Sequence, residues 1–112
     1  MESTIERVGE VSVIKVNYEA LDASSVNDFK QDVEPIIQDG SNVVLDLTHV
    51  EYVDSAGLGA VVSSLKRLRT AGGDIRVTGL SKSVRALFEL VRMHKLLDVF
   101  NTPEEAISSF DA

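Results

Sequence analysis

The run Val43-Val44-Leu45-Asp46-Leu47 constrains this chain more than any other segment. It is nearly unbroken in hydrophobicity, rich in β-branched side chains and too short for a helix. That is how a strand covered on both faces of a parallel sheet reads. Parallel neighbours cannot be reached through a tight turn, so the chain must also supply helical crossovers. It does so directly: Leu58, Val61, Val62, Leu65 and Leu68 fall at helical spacing and stop at Gly72-Gly73, with Lys66, Arg67 and Arg69 on the opposite side. Ile75-Arg76-Val77-Thr78 then forms the next strand.

The flanking segments extend this pattern. Ile5 to Val8 and Val11 to Val16, separated by Gly9-Glu10, read as a hairpin. Asp22-Ala23-Ser24-Ser25 offers N-cap residues to a helix with Val26, Phe29, Val33, Ile36 and Ile37 inward and Gly40 as its stop, and Pro35 is expected to kink or shorten it. Val50 to Val53 is read as resuming the central strand after a break at Thr48-His49. Ser81 caps a helix presenting Val84, Leu87, Phe88 and Val91 on one side. After a short strand at Val99-Phe100, Thr102-Pro103-Glu104-Glu105 combines a capping box with proline at N1, opening a last helix with Ala106, Ile107 and Phe110 inward. The order is ββαβαβαβα: an α/β domain with a mixed, mainly parallel sheet of four to five strands, an N-terminal hairpin and about four helices.

At 112 residues, with no internal repeat and only two prolines, the expectation is one domain spanning 1–112. No cysteine is present, so a disulfide framework, a thiolate metal site and a cysteine nucleophile are excluded, and a reduced cytoplasm is the expected setting. The N-terminal residues lack the basic and apolar regions of a signal peptide, and no apolar run is long enough to span a membrane. The formal charge of −7 argues against direct contact with nucleic acid or anionic lipid. That charge is uneven. Residues 1–54 carry twelve Asp/Glu and three Lys/Arg, a balance of −9, whereas residues 55–112 carry six and eight, a balance of +2.

In parallel sheets, sites are built from loops at the carboxyl ends of strands. Asp54-Ser55-Ala56-Gly57-Leu58-Gly59 lies where strand becomes helix. Asp54 and Ser55 are both good caps, and the glycines let another backbone approach closely. Spacing alone admits both a tightly packed capped helix and a site for an anion or partner. Catalytic readings fail. Val62 stands where a G-x-G-x-x-G pattern needs its third glycine, and no phosphate-loop motif occurs. Ser55 lacks nucleophile-elbow surroundings, while His49 and His94 read as residues of surface connections rather than as its base. Acidic residues are dispersed, without metal-binding spacing. No catalytic residue, cofactor or metal is expected.

The strand at 43–47, the segment Val50-Glu51-Tyr52-Val53-Asp54-Ser55-Ala56-Gly57-Leu58-Gly59 and the helix ending at Gly72-Gly73 together closely resemble the STAS domain of bacterial anti-sigma factor antagonists. The resemblance covers nearly the whole chain, including Leu21-Asp22 and the region from Ser81 to Leu97. It implies a non-enzymatic, cytoplasmic partner-switching protein, monomeric or weakly dimeric. Such a protein binds an anti-sigma factor that is itself a serine kinase and is released when that kinase phosphorylates the serine after the aspartate, here Ser55. A PP2C-type phosphatase reverses the modification. The partner-binding residues implied are Leu21, Asp22, Asp54, Ser55, Ala56, Gly57, Leu58 and Gly59. Ala56 stands where many relatives carry a second hydroxyl, and Tyr18-Glu19-Ala20 lacks the usual glycine before Leu21-Asp22. The alternative is a constitutive STAS subunit of a transporter-associated or stress-signalling complex, with Ser55 as a helix cap.

Overall fold

Alternating strands and helices close around two hydrophobic clusters, one on each side of a sheet. In the computed structural model, whose described residues are 3–111, the elements are β1 (Thr4–Val8), β2 (Val11–Lys15), β3 (Ala20–Leu21), α1 (Val26–Asp39), β4 (Asn42–Asp46), β5 (Tyr52–Val53), α2 (Ser55–Thr70), β6 (Ile75–Thr78), α3 (Lys82–Leu90), β7 (Asp98–Phe100) and α4 (Pro103–Ser108). Short 3-10 turns occupy Met93–Lys95 and Ser109–Asp111. The main sheet runs β1-β2-β4-β6-β7, parallel throughout except for the β1–β2 hairpin. It is the mixed, mainly parallel sheet the sequence implies, with four α-helices.

Strand alternation decides which helix covers which face. Ile14, Val43, Leu45, Ile75 and Val77 face α1, α2 and α3, whose Phe29, Leu65, Leu68 and Phe88 are at most 2% exposed. Val11, Val13 and Val44 face the other way, onto Ala106 of α4 with Ile107 and Phe110 beside it. Arg76 lies over the Phe110 ring, 4.0 Å from its centroid, a cation–π contact closing that end of the second cluster. α4 is capped as its sequence requires: Thr102 Oγ1 accepts the Glu105 amide, and Glu105 accepts the Thr102 amide in return.

Three expectations are corrected. α1 is not shortened at Pro35: it runs on to Asp39 and ends at Gly40, the stop the sequence implies, whose φ of 69° is the left-handed C-cap conformation. Pro35 and Gln31, whose carbonyl loses its helical partner, both lie on the solvent face, where water can replace the missing bond. Val50–Val53 does not resume the central strand. Asp46 accepts the Thr48 amide (3.0 Å) and hydroxyl (2.5 Å), bending the chain out of the main sheet, and β5 pairs in parallel with β3 as a separate two-stranded sheet. Val91 is not on the buried face of α3. The helix ends at Leu90, Arg92 turns through the left-handed region (φ 62°), and Val91 stays 45% exposed.

Among the described residues no helix is long and apolar enough to cross a membrane.

Candidate functional site

The small β3–β5 sheet places the two segments singled out above side by side. Ala20 aligns with Tyr52 and Leu21 with Val53. The chain leaves β3 through a turn at Asp22 and leaves β5 into α2 at Asp54, so both exits lie at the same edge of the molecule.

Asp54 joins them. Its extended backbone (φ −109°, ψ −174°) turns the carboxylate back over the start of α2, where Oδ1 accepts the Gly57 amide at 2.9 Å. Oδ2 accepts the Ala23 amide at 3.2 Å, and the Asp54 amide donates to the Leu21 carbonyl at 3.3 Å. One residue thus caps the helix and fastens the Asp22 turn to it. Gly57 permits the approach. A Cβ at that position would lie 2.1 Å from the Leu21 carbonyl oxygen.

Asp22 organises its own turn. Its Oδ1 accepts the Ser24 amide (3.0 Å) and hydroxyl (2.7 Å), and the hydroxyl is the chief reason the Asp22 carboxyl is held below the usual carboxylate range. Ser25 heads α1 without capping it. Its hydroxyl accepts the Asp22 amide at 3.1 Å and donates to the Ala20 carbonyl at 2.8 Å, locking the turn instead.

Ser55 is exposed at the first helical position of α2, and its hydroxyl makes no hydrogen bond among the described residues. The alternative in which Ser55 caps the helix is therefore corrected: Asp54 holds the cap, because only its extended backbone aims a side-chain oxygen at the Gly57 amide. Asp22, Asp54, Ala56 and Leu58 are half-buried around Ser55 and Gly59 is exposed. Leu21 and Gly57 shape the site from beneath, the Leu21 side chain being fully buried. Sequence reasoning missed Ala23 and Ser25. The Asp-x-Ser pattern at Asp22 carries the signal for the turn, but a backbone amide such as that of Ala23 leaves none. Among the described residues no three His, Cys, Asp or Glu side chains converge to hold a metal ion.

The STAS domain family model matches residues 2–106. The chain belongs to the STAS domain family. Among the proteins it is similar to are anti-sigma factor antagonists: a Staphylococcus aureus protein named anti-sigma-B factor antagonist is 33% identical over 87 residues, covering 77% of this chain and 80% of that protein. The solved structure of an anti-sigma factor antagonist from Mycobacterium paratuberculosis matches with a TM-score of 0.88 at 22% identity, over 98% of this chain and 93% of the other. The Bacillus cell fate determinant SpoIIAA, also 22% identical, matches in its unphosphorylated form (TM-score 0.74, 98% of both chains) and in its phosphorylated form (0.72, over 96% and 98%). At 22% identity these structural likenesses establish the fold.

Proposed function

We propose that this chain is an anti-sigma factor antagonist that acts by partner switching, a regulatory binding protein rather than an enzyme. Unphosphorylated, it docks on an anti-sigma factor serine kinase through the surface made by the Asp22 turn and the first turn of α2. Phosphorylation of Ser55 ends docking, and a PP2C-type phosphatase restores it. The observation that carries this reading is the exposed, unbonded Ser55 hydroxyl at the start of α2, next to the Asp54 that fastens the Asp22 turn.

A phosphate there adds about −1.5 to −2 charge where first-turn amides and the helix dipole favour an anion, so the fold tolerates it. A docked partner does not. The dianion would stand beside Asp54 and near Asp22, on a surface closed against another protein, where an uncompensated charge is strongly destabilising. Switching from 99:1 to 1:99 bound needs about 5.5 kcal/mol of differential binding, within reach of a buried, unpaired dianion.

Incubation with the cognate kinase and ATP, followed by mass spectrometry, should place one phosphate on Ser55, and Ser55→Ala should remove it. Labelling that survives in Ser55→Ala overturns the assignment. Ser55→Asp should weaken kinase binding while leaving the thermal midpoint nearly unchanged; an unfolded variant would refute the purely interfacial account.

A further inference from the structure

Three of the large apolar side chains left exposed lie at the end of α3 and just beyond it: Leu90 is 80% exposed, Val91 45% and Leu96 44%. Val91 and Leu96, with Leu58 and Val62 of α2, line an open groove of about 630 Å³ floored by the buried Met93. Its walls are held in place. The left-handed turn at Arg92 sets the 3-10 segment beside α2, and Arg69 of α2 donates to the Leu96 carbonyl at 2.7 Å. Leu58 and Gly59, at the groove's upper end, also belong to the Asp54–Gly59 segment.

The basic residues of the chain are concentrated in the segment that supplies much of this groove, although Arg76 of that segment lies on the other face of the sheet. Residues 66–95 carry eight Lys/Arg and two Asp/Glu, a balance of +6, leaving −13 for the remainder. Of the two acids, Asp74 is engaged by Arg69 at 2.9 Å, and Glu89 lies on α3. Arg67 at the rim is neutralised by Glu34. Lys66, Arg92 and Lys95 are exposed and make no ion pair among the described residues. An apolar trough with a cationic rim on an otherwise acidic protein is complementary to one kind of occupant.

We infer that the groove between α2 and the Met93–Lys95 turn is a second docking surface, which takes an acidic amphipathic helix from a partner protein. The apolar stripe of such a helix lies on Val62, Met93 and Leu96, and its carboxylates face Lys66, Arg92 and Lys95. The groove meets the surface around Ser55 at Leu58 and Gly59 but does not include Ser55, and its occupation does not depend on that residue being modified.

The test uses the intact isotope-labelled chain, followed by NMR, and a designed amphipathic peptide of about 18 residues with leucines at i, i+3, i+4 and i+7 and glutamates on both flanks. The expected result is amide shifts confined to the groove, at Leu58, Val62, Lys66 and residues 91–96. A peptide with the same leucines but lysine flanks should bind at least about tenfold more weakly, and Lys66→Glu should close that gap. Val62→Glu should abolish the shifts without changing the circular dichroism spectrum; Leu96→Ser serves the same purpose if Val62→Glu fails to fold. Equal binding of both peptides, shifts elsewhere, or phosphatidylglycerol vesicles engaging the same residues instead would each overturn the inference. Ser55→Asp should leave peptide binding unchanged, so this test and the phosphorylation test fail independently.

Discussion

Gly57 and Gly59 occupy one helix two residues apart, yet alanine at the two positions should act in opposite directions. In a helix interior, alanine is favoured over glycine by about 1 kcal/mol, so propensity alone stabilises both variants. At Gly59 nothing lies within 4 Å of an added Cβ, and the full gain of about 1 kcal/mol is expected. At Gly57 the Cβ would stand 2.1 Å from the Leu21 carbonyl oxygen and 2.9 Å from its carbonyl carbon, where contacts under 3.0 Å force a shift. The obstacle is backbone, so β3 must move away from α2. That movement strains or breaks the Asp54–Leu21 and Asp54–Ala23 hydrogen bonds, at about 1 kcal/mol each, on top of an overpacking cost of about 1–3 kcal/mol. Set against the propensity gain, Gly57→Ala should lose about 2–4 kcal/mol. For a chain of this size that lowers the thermal midpoint by roughly 8–24 °C, while that of Gly59→Ala should rise by about 4–6 °C. Differential scanning calorimetry of the two variants against the unmodified chain measures both. A Gly57→Ala protein as stable as the unmodified chain would refute the close-approach argument, and so would a Gly59→Ala protein less stable than Gly57→Ala.

Three further outcomes follow from single side chains. Asp54→Ala should cost about 1–2 kcal/mol through loss of the cap, and should accelerate hydrogen exchange at the Ala23 amide, which NMR reads directly. Thr78→Val should be neutral or raise stability by about 1 kcal/mol in urea denaturation, because Thr78 is fully buried and its hydroxyl has no hydrogen-bond partner among the described residues. Burial, with Asp32 accepting its hydroxyl at 2.5 Å, pushes the Tyr18 phenol up to about 12. The fold favours the neutral phenol, so its contribution is complete below about pH 10, the unfolded value, and is lost as pH rises to about 12. Tyr18→Phe should show a shallower loss of stability across that window.

The long periodic elements were legible because each carries its own signal. α2, with its apolar positions from Leu58 to Leu68, and β4, with its continuous hydrophobic run, could be placed by local pattern. Ser55 and Asp54 were legible as neighbours at a strand-to-helix junction. Their division of labour was not, since both residue types cap well and only the backbone angles at Asp54 decide between them. β3, and the pairing of β5 with it, escaped because two residues establish no period and the partner strand lies more than thirty positions away. The fate of Val91 was hidden for a related reason. Its spacing fits the buried face of α3, and only the left-handed turn at Arg92 sends it outward. The charge asymmetry was visible in composition, but its meaning depends on Lys66 lining an apolar groove, with Arg92 and Lys95 adjoining its Val91, Met93 and Leu96, which is a property of the folded surface.

The two-residue β3–β5 sheet also bears on when the candidate site comes into existence. Its halves meet through a two-residue ladder, the Asp54 clasp and the Leu21–Gly57 contact, few bonds beside those of the five-stranded main sheet, so they hold together only once that sheet has brought them side by side. Folding should therefore assemble it late, after the central strands and α1–α2 have joined. A chain emerging from synthesis, or one partly melted at its core, presents the Asp22 turn and Ser55 on unconnected segments. A partner that read both segments together would thereby proofread the fold, engaging only molecules that have finished folding.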